Sequence, residues 1–267
     1  MLTKQKNEGD FLGKMFATER RNLIVSHLQQ EKRLTVKHLA NKLNVSEATL
    51  RTDLNLLEEE GLLTRTHGGA VLNENEPPKN NFSDRAMRNI DYKKSITRKA
   101  VELISRKDCI LLDASTTSLE LARIIKEKET KLTVVTNGIS TALELKENPS
   151  INVILIGGIA RMGSMGLEGL LGKNVLDEIN IEMMFTSASG FTLEDGLSDF
   201  NVYEVELKKV MVQKAKKVIA LLDHTKIGTS SIAPFASIDE IDKIITDEDI
   251  PNEILQLLKD SNIDIIN

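Results

Sequence analysis

Small polar residues follow several apolar runs in the second part of the chain, and such residues bind anions where they open a helix. Residues 115–117 (Ser-Thr-Thr) follow the run CILLD and begin a helical segment. Their hydroxyls, the unpaired backbone N–H groups and the helix dipole there all favour negative charge. Lys226, after a later run, would add a positive charge, while Asp113 and Asn137 could bind sugar hydroxyls. This chemistry predicts a pocket for a small phosphorylated sugar or polyol.

Five such strand ends would meet at one edge of a parallel sheet, where ligands bind in folds of this class. For any single loop, helix capping explains the same residue types, and Glu204 with Lys208 is also an ordinary i, i+4 ion pair. The prediction therefore depends on the loops converging. The candidate effector-binding residues are Asp113, Ser115, Thr116, Thr117, Thr136, Asn137, Gly157, Gly158, Arg161, Glu204, Asp223 and Lys226.

A second polar set lies on one face of a helix near the start of the chain. Leu50, Leu54 and Leu57 form the apolar stripe of this helix, and the opposite face carries side chains short enough for a DNA major groove. A helix at about residues 35–43 precedes it, and Asn44 suits a left-handed turn between the two. The pattern predicts a helix-turn-helix. The candidate DNA-binding residues are Thr35, Ser46, Glu47, Thr49, Arg51, Thr52, Asn55, Arg65 and His67.

The elements that position this polar face are helices at about residues 18–30 and 46–60, followed by two short strands between residues 62 and 72. A hairpin after a recognition helix is a wing, which would bring Arg65 and His67 to the DNA backbone or minor groove. We expect a flexible tail at 1–15, a winged helix-turn-helix DNA-binding domain at 16–73, a linker with Pro77-Pro78 at 74–92, and an α/β effector-sensing domain at 93–267.

The last of these domains alternates apolar runs with helical segments. Continuous apolar strands that alternate with helices predict a mostly parallel sheet covered on both faces. The glycines at 163, 166 and 169 do not match the spacing of a nucleotide-binding loop, and we interpret them as loop residues. The runs are CILLD, LTVVTN, INVILIGG, IEMMFTSAS, KVIALLD and IDKIITD.

Charge and composition narrow the class of protein. The net charge is −5, but residues 1–72 carry +2 and the remainder −7, so a local DNA-binding face is compatible with an acidic whole. The sequence has no apolar stretch long enough for a membrane span and no secretory signal, which predicts a cytoplasmic protein without a membrane partner. Cys109 is expected to be a buried small hydrophobe, and no cofactor or metal is expected, because no His or Cys cluster occurs.

Two such domains in this order resemble the DeoR family of bacterial transcriptional regulators over about residues 19–247. In the first domain the resemblance is carried by Arg21 and by residues 23–25, 46–54, 57–58, 61–63 and 67–70. The family usually has two arginines before the aspartate, whereas Thr52 follows Arg51 here. That departure implies a different operator preference.

The second domain resembles the sensor domain of the same family, which is similar in fold to ribose-5-phosphate isomerase. The positions that match its motifs are Asp113, Thr116, Thr117, Thr136, Asn137, Gly157, Gly158, Gly196, Glu204, Asp223 and Lys226. Ser115 stands where the family usually has Gly, and its side chain would either crowd a phosphate or supply a hydroxyl. The resemblance implies a repressor of a sugar or sugar-alcohol catabolism operon that binds double-stranded operator DNA as a homodimer or homotetramer. A phosphorylated sugar would relieve the repression.

Other functions remain open from the sequence. The same sensor could serve an activator, or the domain could be a sugar-phosphate isomerase with a DNA-binding head. The isomerase needs a general base, and its Asp-Gly-Ala-Asp loop corresponds here to Ser-Gly-Phe-Thr at residues 189–192, which argues against catalysis. A DNA-packaging protein is disfavoured by the net charge.

Overall fold

The computed structural model describes residues 17–59, 63–71, 81–248, 250, 252–260 and 263–267. The chain divides near residue 72 into two compact units. The expected tail at 1–15 and the first part of the expected linker lie outside the described residues. No helix in the described ranges is both long and apolar enough to cross a membrane.

The smaller unit combines three helices with a three-stranded antiparallel sheet of order β1-β3-β2. Its core is formed by the predicted stripe of Leu50, Leu54 and Leu57 together with Ile24 and Leu28, all of them buried. The elements are α1 (Ala17–Glu31), β1 (Arg33–Thr35), α2 (Val36–Lys42), α3 (Glu47–Glu59), β2 (Thr64–Thr66) and β3 (Gly69–Val71).

The turn between α2 and α3 has the geometry that the sequence predicts. Asn44 adopts a left-handed backbone with φ of 53°, a conformation that asparagine tolerates better than most residues. The strands β2 and β3 form the predicted wing. Strand β1 was not predicted, because three residues are too short a stretch to indicate a strand; it pairs with β3.

The larger unit is built on a seven-stranded sheet of order β15-β14-β12-β9-β4-β5-β6, in which every neighbouring pair of strands is parallel. Its strands are β4 (Cys109–Leu112), β5 (Leu132–Thr136), β6 (Ile151–Leu155), β9 (Met183–Thr186), β12 (Val218–Leu221), β14 (Lys243–Ile245) and β15 (Asp264–Ile266). The six predicted runs provide the first six of these strands, so the parallel α/β prediction is confirmed.

Helices and smaller sheets complete this unit. The helices are α4 (Phe82–Met87), α5 (Ile90–Ala100), α6 (Thr116–Lys126), α7 (Ile139–Leu145), α8 (Asn174–Asp177), α9 (Val202–Lys214) and α10 (Asn252–Asp260). A hairpin is formed by β7 (Ile159–Ala160) and β8 (Leu167–Glu168), and an antiparallel sheet by β10 (Gly190–Thr192), β11 (Gly196–Asp199) and β13 (Ala233–Ala236). Helix α6 packs against α5 and α7, whereas α9 packs against β13 and β8.

One part of the chain differs from the expected organisation. Residues 82–92, which the composition assigns to the linker, form α4 and the first turn of α5. Phe82 is buried, and its N–H donates to the Gly163 carbonyl at 3.1 Å. These residues are therefore part of the larger unit.

Candidate functional site

Helix α3 presents a polar face to solvent. Ser46 caps its start, because the Ser46 hydroxyl accepts a hydrogen bond from the Thr49 N–H at 3.0 Å. One turn further on, the exposed Arg51 pairs with the exposed Glu47 at 2.8 Å. A pair of this kind contributes only about 0.3–0.5 kcal/mol. Arg51 can therefore exchange Glu47 for a DNA phosphate or base edge at small cost.

The wing is fastened to α3 through Arg65. The Arg65 guanidinium donates to the Asn55 side-chain oxygen, and the Arg65 backbone N–H donates to the Glu58 carboxylate at 2.8 Å. Arg65 is half-buried, whereas His67 is exposed at the tip of the wing. Arg65 consequently orients Asn55 and the wing, a role that the sequence did not indicate.

Strand β3 approaches β1 closely at Gly69. A Cβ atom at that position would lie 1.8 Å from the Leu34 carbonyl oxygen, so only glycine fits. At the end of β1, Thr35 caps α2 by accepting a hydrogen bond from the His38 N–H at 3.4 Å. Asp53 is buried and pairs with Arg20 at 2.5 Å, which ties α1 to α3.

The polar face of α3 brings together most of the predicted DNA-binding residues. Thr52 is exposed there, with its hydroxyl donating to the Ala48 carbonyl at 3.2 Å. The residues on this face or at its start are Ser46, Glu47, Thr49, Arg51, Thr52 and Asn55. Thr35, Arg65 and His67 lie on other elements of the same unit.

The larger unit contains a cavity of about 260 Å³ at the carboxyl ends of the adjacent strands β4, β9 and β12. The loops after these strands line it together with α9 and the junction between α4 and α5. Its walls carry five basic and three acidic side chains. A cavity of this charge and size suits a small anion.

The N-terminus of α6 forms one wall. The Ser115 hydroxyl caps the helix by accepting from the Ser118 N–H at 3.1 Å. Thr116 and Thr117 follow in the first turn and line the cavity, and the Thr117 hydroxyl lies 3.4 Å from the Ser187 hydroxyl. The first N–H groups of a helix have no partner within the helix, so this wall is a hydrogen-bond donor surface.

Behind this wall, Asp113 organises the loops and does not line the cavity. It is fully buried and accepts hydrogen bonds from the Ser118 and Thr186 hydroxyls at 2.6 Å each and from the Ser115 and Ser187 N–H groups. Burial alone would raise the pKa of Asp113, but the Lys208 ammonium at 3.1 Å and these hydrogen bonds outweigh burial and lower it. Asp113 thus stays ionised and joins β4 to β9.

Lys208 is the centre of a buried charge cluster. Its ammonium lies 2.7 Å from Asp199 and 2.9 Å from the Ser187 carbonyl. Burial lowers the pKa of Lys208, but the charges of Asp113, Asp199 and Glu204 outweigh burial and hold that pKa above its ordinary value. The i, i+4 pair with Glu204 is the weakest of these contacts, at 3.9 Å.

Glu204 lines the cavity, and its ion pair with Lys208 is long, at 3.9 Å. Burial raises its pKa to about 7; the nearby Lys208 opposes this shift, and the carboxylate of Asp199 adds to it. Near neutral pH the carboxyl group therefore exists in both protonation states. It can accept a hydrogen bond from a ligand hydroxyl or donate one.

The junction between α4 and α5 supplies cationic groups that the sequence interpretation missed. Arg85, Arg88, Asn89 and Lys93 all line the cavity. Burial lowers the pKa of Lys93 to about 8; Asp223 opposes this shift, and Lys226 and Arg85 add to it. The sequence signal was present as three basic residues in a nine-residue stretch, but the surrounding Asn and Pro composition indicated a linker.

Part of the predicted effector set lies away from the cavity. Strands β5 and β6 lie on the other side of β4 from β9 and β12, and the residues of their terminal loops do not line the cavity. Those loops pack instead on the β7–β8 hairpin: Asn137 donates to the Leu167 carbonyl at 3.0 Å, and Arg161 pairs with Glu168 at 2.8 Å. The predicted residues that do not line the cavity are Asp113, Thr136, Asn137, Gly157, Gly158 and Arg161.

The other predicted effector-binding residues lie together in the cavity wall. The cavity walls include Ser115, Thr116, Thr117, Glu204, Asp223 and Lys226. Asp223 and Lys226 belong to the loop after β12, in which the Asp223 carboxylate accepts a hydrogen bond from the Thr225 N–H at 3.2 Å. Three of the five predicted loops thus converge.

One group in the described part of the chain has the composition of a metal site. Ligand atoms of His224, Asp247 and Glu248 lie within 4.8 Å of one another. The His224 ring nitrogen already hydrogen-bonds to Asp247 at 2.9 Å, and this bond raises the pKa of His224. The hydrogen bond between His224 and Asp247 therefore explains why these side chains lie together, without a metal ion.

Comparison with known proteins assigns both units. Residues 20–76 match the DeoR-like helix-turn-helix domain, and residues 88–248 match the DeoR C terminal sensor domain. The chain is 44% identical over 251 residues to the HTH-type transcriptional regulator GolR of Listeria innocua, covering 94% of this chain and 98% of that protein. It is 28% identical to the glycerol-3-phosphate regulon repressor of Escherichia coli K12, over 94% of this chain and 99% of that protein.

Among solved structures, ribose 5-phosphate isomerase A from Methanocaldococcus jannaschii aligns at 18% identity with a TM-score of 0.38, over 52% of this chain and 55% of that one. The similarity to this enzyme is distant, and the sequence relatives are transcriptional regulators and not enzymes. With both units matched in order and a relative at 44% identity over nearly the whole chain, the protein belongs to the DeoR family of helix-turn-helix transcriptional regulators.

Proposed function

We propose that the protein represses an operon for the catabolism of a sugar or sugar alcohol, and that a phosphorylated sugar or polyol releases it from DNA by binding in the cavity of the larger unit. The observation that carries this proposal is the cavity wall itself, where the N-terminus of α6 faces Arg85, Arg88, Lys93 and Lys226. Helix N-termini and clustered cations together form the usual protein site for a phosphate group. The E. coli relative is named for a regulon of glycerol 3-phosphate.

The size and the uncharged lining support a small polyhydroxylated ligand. A volume of about 260 Å³ is below the roughly 300–1,000 Å³ of sites for drug-sized molecules. Ser187, Ser189 and Glu204 line the cavity alongside the cationic wall. Hydroxyl and carboxyl groups of this kind hydrogen-bond to sugar hydroxyls. A phosphate ester with a short hydroxylated chain matches both the cationic wall and the hydroxyl and carboxyl groups of the cavity.

For the smaller unit we propose that α3 enters the major groove of operator DNA, with the wing beside it. Arg51, Thr52 and Asn55 are exposed on α3 and would contact base edges or phosphates. A homodimer or homotetramer acting in the cytoplasm would place two copies of α3 in successive major grooves, about 34 Å apart or a multiple of it. Effector binding would favour one arrangement of the oligomer over another.

A ligand screen tests the effector proposal. Thermal unfolding is measured with glycerol 3-phosphate, hexose phosphates and their unphosphorylated counterparts. A ligand present at a hundred times its Kd should stabilise the protein by about 2.7 kcal/mol. Only phosphorylated compounds should do so, and the stabilising compound should also lower operator affinity in fluorescence anisotropy.

Matched variants locate the binding. Lys226→Met removes a cation from the cavity wall, and Lys217→Met removes an exposed lysine of the same unit that does not line the cavity. The first variant should lose most of the ligand-induced stabilisation, and the second should keep it. Equal stabilisation of both would contradict the proposed site, and tighter operator binding with ligand would contradict release from DNA by the effector.

A further inference from the structure

The helix pair α4–α5, whose first part falls within the expected linker, contributes directly to the cavity. Arg85 lies on α4, Arg88 and Asn89 form the junction, and Lys93 lies in α5. Asn89 turns the chain with a left-handed backbone of φ 54°. Its side-chain amide donates to Asp223 and Thr225 at 3.4 Å each. The junction therefore bridges to the loop after β12 across the cavity.

Several of the contacts that hold α4 in place involve residues of the cavity wall. The Lys93 ammonium donates to the carbonyl groups of Arg85 and Arg88, which end α4. The Arg85 guanidinium lies 5.0 Å from the centre of the Phe200 ring and 5.9 Å from that of Phe82. Besides the buried Phe82, its N–H bond to the Gly163 carbonyl and the packing of α4 on α6, α4 is thus anchored through groups that an anion would contact.

Three cations of this wall have no direct carboxylate partner in the part of the chain that the structure describes, although Asp199 and Glu204 are close enough to interact electrostatically with Arg85. Among the described residues, Arg85, Arg88 and Lys226 form no ion pair, and the buried Arg85 Nε has no hydrogen-bond partner. Positive charges held together in a half-buried wall repel one another. A phosphate dianion among them would replace that repulsion with attraction and would give the Arg85 Nε an acceptor.

We propose that Arg85 and Arg88 bind the phosphate group of the effector, and that binding thereby fixes α4, the first helix after residues 72–80, against the larger unit. This inference rests on the proposed function, because it concerns the same cavity. Occupancy of the cavity then determines how firmly the end of the connection between the two units is held. The signal to the DNA-binding unit begins at α4.

Hydrogen exchange tests the proposal on the full-length protein. The probes are inorganic phosphate and any phosphate ester that stabilises the protein in the thermal screen. Amide exchange in residues 82–93 should slow when the probe binds, together with exchange in the loop that begins α6. Protection of the α6 loop with unchanged exchange in residues 82–93 would overturn the inference.

Variants supply the second test. Arg85→Met and Arg88→Met should each weaken binding of the probe by about tenfold or more and should reduce its effect on operator affinity. Arg88 is exposed, so its variant does not depend on tolerance of a change near the core. Arg98→Met, at an exposed arginine of α5 outside the cavity, is the matched control and should bind as the wild type does.

The outcomes separate the two proposals. If the wild type binds the phosphate probe and both variants bind it equally well, the proposed role of α4 fails, but the effector proposal stands. If the wild type bound neither inorganic phosphate nor any phosphate ester, the effector proposal and this inference would both fail.

Discussion

Replacement of Lys208 by methionine should destabilise the larger unit strongly and in a pH-dependent way. The Lys208 side chain is 1% exposed and lies 3.1 Å from Asp113 and 2.7 Å from Asp199. Methionine fills a similar volume but leaves both buried carboxylates without a cation. Removing one partner of a buried ion pair typically costs about 3–5 kcal/mol. For a unit of this size the melting temperature should fall by about 10 °C.

The pH dependence follows from the pKa shifts. In the wild type the pKa values of Asp113 and Asp199 are lowered, so their contribution to stability is present above their unfolded values near about 3.9 and is lost as pH falls. Without Lys208, burial would raise both values. The variant should then lose stability as pH rises through the raised pKa values. Its deficit relative to the wild type should be larger at pH 8 than at pH 5.

Circular dichroism melts at both pH values measure the effect. Lys209→Met, at the exposed neighbouring position of α9, is the control and should melt like the wild type. Because Lys208→Met alone could prevent folding, Lys208→Met combined with Asp199→Asn provides a second variant, in which part of the stability should return. A deficit below about 1 kcal/mol that is equal at pH 5 and 8 would refute the reasoning.

Three further outcomes are expected. Arg51→Ala should lower operator affinity by about tenfold or more in fluorescence anisotropy while phosphate-ester binding is retained; unchanged operator affinity would remove Arg51 from the DNA surface. Gly69→Ala should lower the melting temperature of the DNA-binding unit, because its Cβ would lie 1.8 Å from the Leu34 carbonyl oxygen, whereas Gly68→Ala meets nothing within 4 Å and should be neutral. Affinity for a phosphate ester in calorimetry should be highest between about pH 6 and 8: below that range the ester loses its second charge, and above it Lys93, with a pKa lowered to about 8, loses its own. A flat profile from pH 7 to 9.5 would contradict a role for Lys93.

The helix-turn-helix was predictable because its information is local. The stripe of Leu50, Leu54 and Leu57 and the left-handed Asn44 act within one or two helical turns, and the structure confirms them. The parallel sheet was predictable because six of its seven strands fall in continuous apolar runs; β15 was not predicted. In contrast, β10, β11 and β13 are only three or four residues long. β10 and β11 form a short hairpin, but β13 joins them from a distant part of the sequence, so no local pattern indicates this sheet.

The cavity was only partly predictable, because the order of strands in the sheet differs from their order along the chain. The loop at residues 136–137 (Thr-Asn) is polar like that at 115–117, and Gly157-Gly158 also follows a strand. Strands β5 and β6 nevertheless lie beyond β4, and their loops do not line the cavity. The segment 82–92 was misread for a different reason. The polar and charged residues that make a linker soluble are also the ones that line a cavity for an anion.

The position of α4 has a consequence for exchanging the two halves of such regulators. A hybrid that joins the DNA-reading head of one family member to the receptor of another must place its junction between residues 72 and 81. A junction at residue 93, the expected start of the second domain, would combine Arg85 and Arg88 of one protein with the strand loops of another. Such a hybrid would still recognise its operator but would respond poorly to the metabolite of its receptor.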